Sequence, residues 1–75
     1  MNKKVVFYGG GNMAEGILKC LLKKGVFQAE DITIAEVVPA RREYLTETYQ
    51  LKVVADASAE IKDADIVIIA VLPSI

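Results

Sequence analysis

Gly9, Gly11 and Ala14 stand at the spacing G-x-G-x-x-[GA], and Glu36 follows 22 residues beyond Ala14. Small residues at these intervals let a backbone turn sharply and approach a bulky anion, which then meets the free N–H groups of a following helix. Gly9 takes the turn, Gly11 the close approach to a pyrophosphate, and Ala14 the tight packing of helix on sheet. Asn12 and Met13 supply first-turn N–H groups, where the helix dipole also favours negative charge. Gly10 holds the variable position and reads as incidental.

A carboxylate at the end of the second strand, about 20 residues past such a turn, accepts hydrogen bonds from an adenosine ribose. Glu36 matches that position. A carboxylate there accommodates a free 2′-hydroxyl and repels a 2′-phosphate, so NAD(H) is favoured over NADP(H). The alternative for Glu36 is a solvated strand-end carboxylate, and the residue by itself leaves both readings open. Arg41 and Arg42 follow within reach of a 2′-phosphate, but their expected place is the solvated face of a helix.

Other reactive side chains point to less. Cys20 reads as a small helix residue, and one cysteine with no histidine gives neither an internal disulfide nor a zinc ligand set. Asp63 and Asp65 make a paired-carboxylate catalyst one reading; polar loop residues before a buried strand are the commoner one. Tyr44 and Tyr49 are expected to pack.

The elements that must position these residues alternate as β-α-β-α-β-α-β. Residues 4 to 8 form a strand, as does Ile32-Thr33-Ile34-Ala35, β-branched at three of four positions. Lys52-Val53-Val54 suggests a third. Asp65 to Val71 forms a fourth, apolar from Ile66 onward as in a strand buried on both faces of a parallel sheet. Met13, Ile17, Leu18, Leu21 and Leu22 make one stripe of a helix from Asn12 to Lys24, with Gly25 as its stop. Pro39 opens a helix that runs through Tyr49, with Leu45 and Tyr49 as an inward i, i+4 pair. A helical turn spans Ser58 to Lys62, with Asp56 as candidate N-cap. The fold class is therefore α/β, a Rossmann-type doubly wound parallel sheet. About four strands of a six-stranded sheet are present, which suggests part of a longer protein.

Composition narrows the functions. Nine Lys and Arg against ten Asp and Glu give a net charge of -1, which argues against a nucleic-acid partner. The longest apolar run, Ile66 to Leu72, falls far short of the roughly 20 residues of a membrane span. With no secretory apolar segment behind Lys3 and Lys4, a cytoplasmic location is expected.

The stretch VVFYGGGNMAEGILKCLLKKG resembles the opening of pyrroline-5-carboxylate reductases, and ITIAEVVPARREYL and IKDADIVIIAVLP continue the resemblance over nearly all of the chain. The resemblance implies hydride transfer from NAD(P)H to the C=N bond of 1-pyrroline-5-carboxylate, giving L-proline. It implies pyrophosphate contacts from Gly9, Gly11, Asn12, Met13 and Ala14, and a nicotinamide edge lined by Ala70, Val71 and Pro73. It also implies a helical C-terminal domain, absent from these 75 residues, that forms a homo-oligomer and completes the substrate site. No convincing proton donor for the imine stands among these residues, so alone they are expected to bind cofactor weakly at best and to turn over nothing. Three positions depart from the family pattern: Glu36-Val37 replaces a common Asn-Arg pair, Ala57 an asparagine, and Leu72 a lysine. Other readings are a dehydrogenase of the 3-hydroxy acid type and a non-catalytic dinucleotide sensor.

Overall fold

Four parallel strands lie in the order β3-β2-β1-β4 in the computed structural model, which describes residues 3–70. They are β1 (Val5–Tyr8), β2 (Ile32–Ala35), β3 (Lys52–Val54) and β4 (Ile66–Ile69). The helices between them are α1 (Asn12–Lys23), α2 (Pro39–Tyr49) and the single turn α3 (Ser58–Ile61). A 3₁₀ turn at Ala29–Asp31 precedes β2, and the sequence reading did not contain it. Its Asp31 carboxylate accepts the Gln28 N–H at 3.0 Å, a local bond that competes with continued helix or strand.

Register places Val5 against both Ile32 and Ile66, and Tyr8 against both Ala35 and Ile69. The chain proceeds outward from β1 through β2 to β3, then returns to the other side of β1. Because of that reversal, α1 and α2 cover one face of the sheet and α3 the other. Val5, Phe7, Leu18, Ile32, Ile34 and Leu45 form the main core beneath α1 and α2, and Val6, Ala35 and Ala57 a smaller one beneath α3. Phe7, Leu18 and Leu45 are completely enclosed, and burying side chains of this size contributes about 1.5–3 kcal/mol each.

Helix boundaries follow local chemistry. Gly25 adopts φ +68°, its N–H donates to the Leu22 carbonyl, and the Val26 N–H reaches back to Leu21. These two bonds form a Schellman ending that only a residue tolerant of positive φ accepts easily. Pro39 occupies the first turn of α2, as its fixed φ predicts. At α3 the backbone N-cap is Ala57 rather than Asp56. The Asp56 carboxylate nevertheless accepts the Ser58 N–H at 3.0 Å and the Ser58 hydroxyl at 2.6 Å, and these bonds lower its pKa.

One expectation fails, and the described residues leave another untested. Met13 is 54% exposed rather than inward, because the buried stripe of α1 centres on Ala14 and Leu18 and leaves Met13 beyond its edge. Among the described residues the last strand is covered only in part: Val67 is 43% and Ile69 72% exposed. β4 stands last in the strand order of the described residues, and α3, on the face of the sheet that holds Val6 and Ala35, is four residues long.

Candidate functional site

Gly9, Glu36 and Ala70 directly follow the carboxyl ends of β1, β2 and β4, and parallel pairing brings those ends together. Ligands of open α/β sheets bind at this edge, at the point where the strand order reverses. Here the reversal lies between β1 and β4. A cavity of about 320 Å³ occupies the place, lined by Gly9, Gly10, Gly11, Asn12, Met13, Glu36 and Ala70. Six of the nine residues expected at the site therefore face one space. Ala14 does not line it; 1% exposed, it packs in the core between helix and sheet. Val71 and Pro73 lie outside the described residues.

The turn is built from three glycines with three different duties. Gly9 has φ +97°, a conformation L side chains rarely adopt, and its N–H closes onto the Ala35 carbonyl at 2.8 Å. Gly11 is the N-cap of α1, and nothing stands within 4 Å of where a Cβ would project from it. The space before the helix is thus open to a bulky group, and no side chain caps the first-turn N–H groups. That combination fits a pyrophosphate.

Gly10 is not incidental. A Cβ there would stand 2.6 Å from Leu45 Cδ1 and 3.2 Å from Glu36 Oε1. Its peptide is also gripped at both ends. The Gly10 N–H donates to Glu36 Oε1 at 2.8 Å, and its carbonyl accepts Arg41 Nε at 2.5 Å.

Glu36 is not merely solvated at the strand end. Oε1 takes the Gly10 N–H and Oε2 takes the Val38 N–H at 2.9 Å, so the carboxylate ties the glycine turn to the start of α2. Each oxygen has acceptor capacity left for a further donor. The residue therefore has a structural task and still faces the cavity.

The arginines, placed on a solvated face by the sequence, instead hold loops. Arg42 Nη1 donates to the carbonyls of Glu36 and Val37 at 2.9 and 3.0 Å. Arg41 reaches the Gly10 carbonyl through Nε and the Glu15 carboxylate through Nη2 at 2.7 Å, and its guanidinium lies 4.8 Å from the centre of the Tyr44 ring.

Glu15 is the residue that sequence reasoning missed. It is 8% exposed in the first turn of α1. Its Oε2 accepts the hydroxyls of Tyr44 at 2.6 Å and Tyr49 at 2.5 Å, and Lys19 Nζ lies 3.9 Å away. Tyr49 thus packs against the core and also donates, whereas Tyr44, expected to pack, is 41% exposed and donates from the surface. Hydrogen bonds from Tyr44 and Tyr49, with help from Arg41 and against the cost of burial, lower the Glu15 pKa to about 2. Burial and the same carboxylate raise the Tyr49 pKa. A signal was present in the sequence: Glu15 sits beside Ala14 on the inward stripe of α1, where a carboxylate needs donors from a neighbouring element.

The remaining candidates lie elsewhere. Asp65 Oδ2 accepts the Lys4 N–H at 2.7 Å at the amino ends of β1 and β4, far from the glycine turn. Asp63 lines a separate cavity of about 400 Å³ at that amino end, together with Lys4, Glu30, Asp31, Lys52 and Glu60. Though larger, it mixes both charges and sits at the wrong edge of the sheet for a dinucleotide. Cys20 is exposed on α1. Among the described residues no group of three or more His, Cys, Asp or Glu could hold a metal ion, and no helix is long and apolar enough to cross a membrane.

A parallel sheet of this order, with a glycine turn and an acidic residue at its carboxyl edge, defines a Rossmann-like dinucleotide-binding architecture. Residues 4–75 match the family described as NADP oxidoreductase coenzyme F420-dependent, and the chain belongs to that family. Among curated relatives, the pyrroline-5-carboxylate reductase of Synechocystis sp. is 35% identical over 75 residues, covering 100% of this chain and 28% of that protein. The reductase of the same name from Mycobacterium tuberculosis is 37% identical over 71 residues, covering 95% and 23%. That from Vibrio alginolyticus is 32% identical over 72 residues, covering 96% and 26%. The chain spans about a quarter of the length of the curated relatives it matches. It corresponds to their N-terminal NAD(P)-binding region, in agreement with the resemblance carried by the GGGNMA turn.

Proposed function

We propose that the chain is the dinucleotide-binding part of a reductase of the pyrroline-5-carboxylate type, and that it prefers NAD(H) to NADP(H). The observation that carries this reading is the convergence of Gly9, Gly11, Asn12, Met13, Glu36 and Ala70 on one cavity at the carboxyl edge of the sheet. The bound dinucleotide supplies the hydride that reduces the C=N bond of 1-pyrroline-5-carboxylate to L-proline.

The first-turn N–H groups of α1 bind and orient the pyrophosphate, with Gly11 admitting it to van der Waals contact. Glu36 accepts the ribose hydroxyls with the capacity left on its two oxygens. Its negative charge disfavours a 2′-phosphate, a like-charge contact that costs several kcal/mol. This departs from the family's description, which names NADP. Ala70 marks the nicotinamide end, and Val71 and Pro73 continue that edge in the proposal. Imine protonation, substrate contacts and oligomer formation belong to a helical C-terminal domain of the longer protein.

Titration of NADH and NADPH against wild type, Glu36→Gln and Glu36→Ala tests the reading. Wild type is expected to bind NADH at least about ten-fold more tightly than NADPH, a difference of about 1.4 kcal/mol. Glu36→Gln keeps an acceptor and removes the charge, so discrimination should narrow. Equal affinity of wild type for the two cofactors, or unchanged discrimination in both variants, removes Glu36 from cofactor selection.

A further inference from the structure

Arg41 does not line the cavity, yet it touches the glycine turn from behind. Its Nε holds the Gly10 carbonyl at 2.5 Å while Glu36 holds the Gly10 N–H at 2.8 Å, so one peptide plane is fixed at both ends. The next residue, Gly11, is the N-cap of the helix whose first residues, Asn12 and Met13, line the cavity. A rotation of the Gly10 peptide would shift the start of that helix.

The same guanidinium faces a carboxylate. Glu15 lies in the first turn of α1, where it draws on the positive end of the helix dipole that a bound phosphate would also use. A bare carboxylate at that place opposes a second anion at the same helix end. The groups around it are Arg41 at 2.7 Å, the hydroxyls of Tyr44 and Tyr49, and the more distant, largely exposed Lys19 at 3.9 Å. Of these, Arg41 is the only close full positive charge among the described residues. Tyrosine hydroxyls satisfy the carboxylate without cancelling its charge.

We propose that Arg41 is a positioning residue for a phosphate-bearing ligand at the glycine turn, acting without touching it. It sets the Gly10 peptide and neutralises Glu15, which returns the field of the α1 N-terminus to the ligand. This rests on the dinucleotide reading above, and it adds a helix, α2, whose side chains govern phosphate affinity from the far side of the turn. It separates two arginines that the sequence presents as equivalent. Arg42 secures the carbonyls of Glu36 and Val37, whereas Arg41 couples to phosphate.

The test uses the longer protein carrying Arg41→Ala, Arg41→Lys, Glu15→Gln or the double variant Glu15→Gln/Arg41→Ala, each checked for folding by thermal melting. NADH, ADP and adenosine are titrated against each, with NMR following the Gly10 and Gly11 amide resonances. Arg41→Ala should weaken NADH and ADP about ten-fold while adenosine, which carries no phosphate, changes less than about two-fold. Arg41→Lys keeps the charge and should fall between. Adding Glu15→Gln to Arg41→Ala should recover a large part of the lost ADP affinity while adenosine affinity stays level, whereas regained fold stability would raise both together. The Gly10 and Gly11 amide resonances should shift in Arg41→Ala without ligand.

Wild-type affinity for NADH in Arg41→Ala overturns the inference while leaving the dinucleotide reading intact. An equal loss for adenosine and ADP, or no recovery in the double variant, overturns it as well. If wild type binds no NADH, the dinucleotide reading fails, and this role for Arg41 fails with it.

Discussion

Replacing Gly10 with alanine places a methyl carbon 2.6 Å from Leu45 Cδ1 and 3.2–3.3 Å from two atoms of Glu36. Ordinary carbon–carbon contact requires about 3.5–4.0 Å, so one neighbour must move by about an ångström. Leu45 is wholly enclosed, and Glu36 is fixed by two backbone N–H groups. Neither yields freely. Overpacking of this kind costs about 1–3 kcal/mol, and in a chain this small each kcal/mol lowers Tm by about 4–8 °C. Gly10→Ala should therefore melt about 10 °C below wild type.

Gly11→Ala provides the contrast. Its φ of -79° and ψ of -168° suit alanine, and nothing stands within 4 Å of the new methyl group. The reduced entropy of the unfolded chain favours the variant by about 0.4–1 kcal/mol. A poorer N-cap takes back a similar amount. Tm should stay near wild type, while NADH affinity drops at least about ten-fold because the methyl group occupies the pyrophosphate approach. Thermal unfolding followed by circular dichroism, paired with NADH titration, reads both effects. An unchanged Tm for Gly10→Ala, or a Gly11→Ala variant as destabilised as Gly10→Ala, refutes the division of labour within the turn.

The remaining predictions concern the buried carboxylate. The folded pKa of Glu15 lies at about 2 against an ordinary 4.5. The unfolded chain therefore binds the extra proton between those values, and the stabilisation is complete above about pH 4.5 and lost as the pH falls toward 2. It amounts to on the order of 3 kcal/mol, more than half of it gone by pH 3. Urea unfolding at pH 7 and pH 3 should show a larger loss for wild type than for Glu15→Gln; equal losses would place the acid sensitivity elsewhere. Tyr49→Phe removes one donor from Glu15 and should cost about 1–2 kcal/mol in urea unfolding at pH 7. The raised pKa of Tyr49 has the opposite sign: its contribution is full below the ordinary value of 10.0 and declines above it. Tyr49→Phe should therefore flatten the alkaline limb of the stability profile.

Most elements were legible because their signals are local. Three β-branched residues in Ile32–Ala35, Pro39 at the start of α2 and Gly25 at the end of α1 each act within a few residues, and the observed boundaries agree to within about two positions. The cavity was legible for a related reason. Gly9, Gly11 and Glu36 owe their positions to strand ends, and strand ends follow from periodicity. What stayed hidden depends on contacts across the chain.

Gly10 and Glu15 make the same point at the site itself. The motif treats the residue between its first two glycines as free, yet Leu45, Glu36 and Arg41, 26 to 35 positions away, leave no room for a side chain and hold its peptide. Glu15 takes its donors from positions 41, 44 and 49 on α2, so only the packing of α2 against α1 explains why a carboxylate occupies an inward position. The two residues share Arg41. A change in how α2 packs would therefore reach the glycine turn through one guanidinium, moving the Gly10 carbonyl and unmasking the Glu15 charge together. If the turn holds a phosphate as proposed, α2 takes part in setting its affinity alongside the glycines that mark the turn.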